Sequence, residues 1–191
     1  MTEPLFNVLV SDIRCEYLLD NQNYPWIIGF SGGKDSTLVA QLVFEALLNI
    51  SPSQRNRPIH IVSNDTLVES PLVMAHLRNV QAQIKTAAEN LSLPITVTTT
   101  QPDMRQSFWV LLIGKGYPSP NQMMRWCTDR LKIQPTSNYI LDRVSKYGAA
   151  ILVLGVRKTE SSSRRASIEK HKNILLFDTK KTKSCPKHQD G

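Results

Sequence analysis

Apolar positions along the chain change their spacing several times, and each change predicts a new element. In residues 4–19 the apolar side chains recur every three or four positions, which indicates an amphipathic helix. The run 26–30 is short, continuously apolar and followed by a Ser-Gly-Gly stretch, which is typical of a strand buried on both faces. Three more strands are predicted at 59–62, 95–99 and 150–154.

Helices are predicted between these strands. Residues 37–48 are rich in Leu, Val and Ala, and Ser70 followed by Pro71 is a typical start for a helix that runs to about residue 90. Two further helices are expected over 104–113 and from Pro135 to Gly148. Strands that alternate with helices in this way predict an α/β fold in which helices sandwich a parallel sheet.

The polar segments after three of the predicted strands indicate where a ligand would bind. They are residues 31–36, 63–69 and 155–165, and they carry glycines, hydroxyls and charges. Ligands of parallel α/β sheets bind beyond the carboxyl ends of the strands. We therefore expect these segments to converge on one crevice.

Composition and charge narrow the class of protein. With 41% hydrophobic residues the chain can bury a core, and its longest apolar runs are far shorter than the ~20 residues that span a bilayer. The first ten residues do not resemble a secretory signal, so a cytoplasmic protein without a membrane partner is expected. Residues 157–191 hold 10 of the 23 Lys and Arg but only 4 of the 16 Asp and Glu. Such a segment attracts phosphates of a nucleotide or nucleic acid, and a solvated tail is the alternative.

Residues 31–36, Ser-Gly-Gly-Lys-Asp-Ser, form the candidate phosphate-binding loop. Gly32 and Gly33 let the backbone approach a ligand and adopt positive φ angles. Successive N–H groups and the positive end of the following helix together make an anion site.

Side chains of the same loop add to this site. Ser31 and Ser36 supply hydroxyl donors, Lys34 supplies a positive charge, and Asp35 either fixes the loop or helps to hold Mg²⁺. Lys34 and Asp35 are the catalytic candidates. The spacing fits neither a Walker A loop nor the dinucleotide pattern GxGxxG. A turn shaped only by its glycines does not explain the Ser, Lys and Asp beside them.

The sequence Ser-Gly-Gly-Lys-Asp-Ser resembles the loop of the PP-loop ATP pyrophosphatases and of their relatives, the sulfonucleotide reductases. The resemblance implies a Rossmann-like fold of the adenine nucleotide alpha hydrolase type over residues 25–170, with an N-terminal helix at 1–24 and a basic tail at 171–191. It also implies ATP binding, and most members split ATP to AMP and pyrophosphate while adenylylating a substrate. The reductases bind an adenylyl sulfate instead.

Two more segments carry the resemblance. The stretch 63–71 resembles an acidic segment of the reductases, which implies that Asp65 lies near ribose or metal; a turn-forming aspartate is the alternative. Residues 155–164 match the pattern Gly-x-Arg-x-x-x-Ser-x-x-Arg, in which Gly155, Arg157 and Arg164 are implied to bind ATP. Paired arginines bind phosphate or sulfate through bidentate hydrogen bonds.

Residues 26–30, 107–118, 125–132 and 154–158 resemble most closely the DndC family, the sulfurtransferases of bacterial DNA phosphorothioation. This implies Mg²⁺-dependent adenylylation of a DNA phosphate by ATP, followed by insertion of sulfur from a cysteine desulfurase. DNA, that desulfurase and other phosphorothioation proteins are the implied partners.

The family's [4Fe–4S] cluster needs four cysteines, and only Cys127 falls on a matching position. The chain has three cysteines, so we expect neither a completed cluster nor a disulfide framework.

Two other interpretations stay open. The missing cysteines favour a truncated, ATP-binding remnant or assembly subunit without full activity. A sulfonucleotide reductase is the other, although the chain lacks the C-terminal cysteine motif that those enzymes use.

Overall fold

The computed structural model describes residues 3–19 and 23–156. Over these ranges, helices alternate with the strands of a parallel sheet. The helices and strands are α1 (Glu3–Leu19), β1 (Trp26–Gly29), α2 (Lys34–Leu48), β2 (Ile59–Asn64), α3 (Pro71–Asn90), β3 (Ile95–Thr100), α4 (Trp126–Thr128), α5 (Gln134–Tyr147) and β4 (Ile151–Val153). The predicted α/β fold with a parallel sheet is therefore confirmed.

The four strands lie in the order β3-β2-β1-β4, and every neighbouring pair is parallel. Trp26 of β1 is in register with Ile59 on one side and with Ile151 on the other. The chain adds β2 and β3 on one side of β1 and then returns to place β4 on the opposite side. The reversal puts a topological switch point between β1 and β4, where open α/β sheets bind their ligands.

The main core lies between the sheet and helices α2 and α3. Ile28, Ile59 and Ile61 are completely buried and share one cluster with Val43 and Leu47. The central strand β1 is short and almost continuously apolar because both faces of a central parallel strand are covered. This core holds the carboxyl ends of β1 and β2 in fixed positions.

Helix α1 packs on α2, where Val10 contacts Leu42 and Ala46. Its Tyr17 hydroxyl donates a hydrogen bond to the Arg57 carbonyl at 2.8 Å and accepts the Arg57 N–H at 3.0 Å. The buried Arg57 guanidinium lies 5.3 Å from the centre of the Tyr17 ring, a distance typical of a cation–π contact. The N-terminal helix is thus part of the core that supports the sheet.

Two element boundaries differ from the prediction near the sheet edge. Helix α2 begins at Lys34 rather than at residue 37, so half of the predicted loop forms its first turn. Strand β2 continues for two residues beyond Val62, because Ser63 and Asn64 pair with Thr99 and Thr100 of β3. Both residues are polar, and the apolar pattern alone does not extend to them.

The predicted helix over 104–113 is wrong in its first part. A 3₁₀ turn at Met104–Gln106 ends at Ser107, whose backbone is extended, and a helical stretch then ends in the π-helical turn Val110–Gly114.

The predicted helix start at Pro135 is confirmed to within one residue, because α5 begins at Gln134, but helical backbone is already present before it. Helical backbone begins with α4 and continues through a π-helical turn at Asp129–Ile133 into α5. Pro135 has no N–H to donate to a helical carbonyl. In the wider turn just before it, the Gln134 N–H bonds to the carbonyl of Asp129, five residues earlier. The predicted end is confirmed, because Gly148 follows the last helical residue with φ of 85°.

The chain divides into two compact units, Met1–Leu154 and Gly155–Gly191. The boundaries predicted at residues 24 and 170 stay a prediction. None of the helices within 3–19 and 23–156 is both long and apolar enough to cross a bilayer.

Candidate nucleotide site

The candidate loop begins where β1 ends, on the switch-point edge of the sheet. The Phe30 N–H bonds to the Val62 carbonyl at 2.8 Å, which extends the sheet pairing by one residue into the loop. Gly32 has φ of 74°, the left-handed region that glycine adopts without steric cost. A Cβ at Gly32 would lie 3.2 Å from Cδ1 of Leu77 in α3, so the loop also approaches α3 closely. The positive φ therefore favours glycine at position 32, and a Cβ there would also require the end of the Leu77 side chain to shift by a few tenths of an ångström.

Two serines brace this loop from inside. Ser36 is buried, donates its hydroxyl to the Gly33 carbonyl at 2.9 Å and accepts the Ser31 N–H at 3.3 Å. The Ser31 and Ser36 hydroxyl oxygens lie 3.2 Å apart, and Ser31 Oγ accepts the Gly33 N–H at 3.4 Å. These bonds close the loop on itself, so Ser36 fixes its shape while the exposed Ser31 stays on the outer side.

The start of α2 has no side-chain cap. Gly33 occupies the N-cap position, and the first intrahelical bond runs from the Thr37 N–H to the Gly33 carbonyl at 2.9 Å. N–H groups of a first helical turn have no acceptor within the helix and point towards the preceding loop. Lys34 is exposed and Asp35 is partly buried, and both lie in this turn. A phosphate placed here would receive backbone donors, the helix dipole and the Lys34 ammonium together.

Asp65 lies just after β2 and is buried. Its Oδ1 accepts the Leu67 N–H at 3.0 Å, and its Oδ2 accepts Gln101 Nε2 at 3.2 Å and lies 3.8 Å from Nη2 of Arg78. These contacts match the turn-forming role that the sequence left open. They also hold Leu67 at φ of 63°, a conformation that costs a non-glycine residue of order 1–3 kcal/mol.

A second set of contacts joins the end of β2 to the segment 126–136. Asn64 Oδ1 accepts the Thr136 hydroxyl at 2.8 Å and also accepts the Thr100 hydroxyl. Glu69 Oε1 lies 3.3 Å from Lys132 Nζ and 3.3 Å from the Thr66 hydroxyl. Sequence reasoning placed Asn64 and Glu69 in the segment 63–69 but missed these contacts, because the partners are far apart in the chain and no spacing pattern relates them. The polar ending of β2 was the one available signal.

Cys127 lies in α4, is partly buried and is a free thiol. Its neighbour Trp126 stacks on Phe108 with ring centres 5.4 Å apart and donates its indole N–H to the Pro118 carbonyl at 2.8 Å. Cys15, by contrast, is disulfide-bonded.

These thiols do not fit an iron–sulfur cluster. A [4Fe–4S] cluster takes four cysteine ligands, the chain has three cysteines, and one of them is already bonded. Among the described residues, no group of three or more His, Cys, Asp and Glu side chains could hold a metal ion. Mg²⁺ is different, because it is commonly held by one or two carboxylates and substrate phosphates. The position of Asp35 in the first turn of α2 fits that requirement.

The face of β2 that contacts α5 through Asn64 also carries a buried histidine. His60 Nδ1 lies 3.0 Å from the Tyr139 hydroxyl of α5, and its Nε2 is buried without a hydrogen-bond partner among the described residues. Burial lowers the pKa of His60, and the positive charges of Arg143 and Lys146 lower it further. The neutral imidazole thus belongs to the packing of α5 on the sheet.

The remaining predicted ligands, Gly155, Arg157 and Arg164, fall in the part of the chain after Leu154. Gly155 belongs to the second unit, two residues after β4 ends. Arg157 and Arg164 lie outside the described residues.

A parallel sheet with a glycine-led helix N-terminus at its switch point is typical of nucleotide-binding α/β proteins. The chain belongs to the phosphoadenosine phosphosulfate reductase domain family, which it matches over residues 25–184. It is also 25% identical over 152 residues to an uncharacterized protein of Methanocaldococcus jannaschii, covering 80% of this chain and 27% of that relative. The chain thus spans little more than a quarter of the relative's length. Family membership indicates an enzyme domain of the nucleotide-binding, sulfur-transfer type.

Proposed function

We propose that this chain is the ATP-binding part of a sulfurtransferase that acts in DNA phosphorothioate modification. The observation that carries the proposal is the uncapped start of α2 behind the braced loop of residues 31–36. The four segments that resemble the DndC family, given above, are the reason for proposing DNA, rather than a free nucleotide, as the substrate.

ATP would bind with its phosphates on the backbone N–H groups of the loop and of the first turn of α2. Lys34 would neutralise the charge that develops on the phosphates, and Asp35 would hold the accompanying Mg²⁺, which stabilises that charge as a Lewis acid. Arg157 and Arg164 are proposed to supply further donors to the nucleotide, and Gly155 to let the backbone come close to it.

The reaction would proceed in two displacements at phosphorus, followed by a reduction. A DNA phosphate oxygen attacks the α-phosphorus of ATP, the bond between that phosphorus and the α–β bridging oxygen breaks, and pyrophosphate leaves. The DNA phosphate now carries AMP as a leaving group in place of an unactivated oxygen. The terminal sulfur of a persulfide supplied by a cysteine desulfurase then attacks the DNA phosphorus and displaces AMP. A thiol acts as the two-electron reductant: it attacks the other sulfur of the persulfide, a disulfide leaves, and the phosphorothioate remains on the DNA. No step is assigned to an iron–sulfur cluster.

The test is incubation of the chain with α-labelled ATP, Mg²⁺ and DNA, followed by separation of nucleotides. The expected result is DNA-dependent release of pyrophosphate with labelled AMP carried on the DNA, and both should be lost in Lys34→Ala. ATP binding without turnover would instead support the interpretation that the chain is an ATP-binding remnant or assembly subunit without full activity. Absence of ATP binding would contradict the proposal.

A sulfonucleotide reductase is the second candidate, and the observation that favours it is the family match itself. Such an enzyme would bind an adenylyl sulfate at the same loop and release sulfite with a thiol reductant. Competition between ATP and adenosine 5′-phosphosulfate for the loop separates the two. Tighter binding of the sulfonucleotide, with sulfite release, would replace the phosphorothioation proposal.

A further inference from the structure

The segment 126–136 is attached to the edge of the sheet by two polar contacts that lie outside the phosphate loop. The first is the hydrogen bond from Thr136 to Asn64 at 2.8 Å, and the second is the ion pair between Lys132 and Glu69 at 3.3 Å. We propose that Asn64 and Glu69 are positioning residues, which fix the Cys127-bearing segment beside the nucleotide site. This inference rests on the proposed function for its link to ATP, but the attachment itself does not.

The Asn64 side chain connects two elements, β3 and α5. Its side-chain oxygen accepts hydroxyls from β3 and from α5, and the Thr136 hydroxyl also lies 2.8 Å from the Lys132 carbonyl of its own helix. Asn64 is the last residue of β2, so its backbone is held by pairing with Thr100. A rigid strand end therefore defines where the first turn of α5 lies.

The Glu69 contact is more exposed and acts through charge. The Lys132 and Glu69 side chains are 53% and 35% exposed, and a pair of this kind contributes about 0–1 kcal/mol to stability. Its geometric role is to hold the π-helical turn, through Lys132, next to the segment that follows β2. The Thr66 hydroxyl, 2% exposed as a residue, fixes the same Glu69 oxygen. The ion pair thus selects an orientation of the turn at a small energetic cost.

A continuous series of contacts links this attachment to the phosphate loop. Gly32 packs on Leu77 of α3, and Arg78, the next residue, lies against the Asp65 carboxylate. Asp65 in turn holds the bent backbone at Leu67, two residues before Glu69. A nucleotide that shifts the loop would move α3 and this turn together, and the segment 126–136 would follow.

The reporter is the reactivity of the Cys127 thiol towards a neutral alkylating reagent under non-reducing conditions, with Cys127→Ser to assign the signal. Lys132→Glu replaces attraction to Glu69 by repulsion and should raise the alkylation rate about two- to fivefold. The double variant Lys132→Glu with Glu69→Lys restores the opposite charges and should restore the rate. Lys85→Glu, which disturbs another exposed ion pair on α3, should leave it unchanged.

The hydrogen bond is tested separately with Thr136→Val, which keeps the side-chain shape and removes the hydroxyl. It should raise the Cys127 rate, whereas Ser145→Ala should not, because the Ser145 hydroxyl bonds only to its own helix at the Leu141 carbonyl. A loss of stability alone would not be reversed by exchanging the charges. Unchanged rates in both single variants, or a double variant that fails to restore the rate, would overturn the proposal.

Addition of Mg²⁺ and ATP distinguishes the two proposals. If ATP binds, it should change the Cys127 rate in the unaltered chain and change it less in Lys132→Glu. If ATP does not bind, the proposed function fails while the nucleotide-free rates still decide the attachment. ATP that binds equally to all variants without changing any Cys127 rate would overturn the link to the nucleotide site.

Discussion

The hydroxyl of Ser36 donates to the Gly33 carbonyl at 2.9 Å and accepts the Ser31 N–H at 3.3 Å. Ser36→Ala removes both bonds in a buried position and leaves the Gly33 carbonyl and Ser31 N–H without this partner. We expect a loss of about 0.5–1.5 kcal/mol in the free energy of unfolding, measured by urea denaturation, because the Gly33 carbonyl keeps its bonds to Thr37. Ser36→Thr, which keeps the hydroxyl, should lose less. Equal losses in the two variants would show that the hydroxyl does not brace the loop.

Gly32 is the second determinant of the loop shape. Gly32→Ala places a Cβ in a left-handed conformation and 3.2 Å from Leu77. The conformation alone should cost about 1–2 kcal/mol of stability. Gly116→Ala is the matched control, because φ there is 67° and a Cβ would meet nothing within 4 Å. Both variants should lose stability, but only Gly32→Ala should also lose ATP affinity in a binding titration. Equal ATP affinity in the two variants contradicts this assignment.

Asp65 is expected to act through structure. Asp65→Asn keeps a carbonyl oxygen for the Leu67 N–H but removes the negative charge beside Arg78 and Gln101. Breaking these contacts should lower the free energy of unfolding by about 1–3 kcal/mol. ATP affinity of the folded variant should stay close to that of the unaltered chain. A variant of normal stability that has lost ATP or Mg²⁺ affinity would instead support the ribose or metal role implied by resemblance.

His60 should make stability depend on pH. Its pKa is lowered in the folded state by burial and by Arg143 and Lys146, so the unfolded state binds the proton more readily. Stability is therefore fully present above the unfolded pKa of about 6.5 and falls as pH drops from there towards the folded pKa. Chemical denaturation of the chain and of His60→Gln at several pH values isolates this contribution. The slope in this window should be smaller in the variant, and an unchanged slope would exclude His60 as its source.

The positions of the strands and of the loop could be predicted from the sequence, because both depend on the local pattern of residues. The apolar runs at 26–30 and 59–62 are the centre of the sheet, and the positive φ expected in the glycine pair is found at Gly32. The strand order, which places the loop at a switch point, depends on non-local pairing that the pattern does not encode.

Other features of the fold depend on tertiary contacts and could not be predicted from the sequence. Pro135 is normally a start signal, yet here a π-helical turn carries the helix past it. The bond between Asn64 and Thr136 joins residues 72 positions apart, and nothing in either local sequence selects the partner. The Asp65 side chain could be interpreted as ligand or turn from sequence, and its three contacts are visible only in the folded chain.

The central claim, that residues 31–36 bind the phosphates of ATP, is tested most directly by calorimetric titration of the chain with Mg²⁺ and ATP. We predict saturable binding that weakens about 10- to 100-fold in Lys34→Ala, since a charge-assisted hydrogen bond contributes about 1.5–3 kcal/mol. Lys85→Ala, which removes an exposed lysine from the second half of α3, should bind normally. Equal ATP affinity in Lys34→Ala and the unaltered chain, or no binding to either, would contradict the claim.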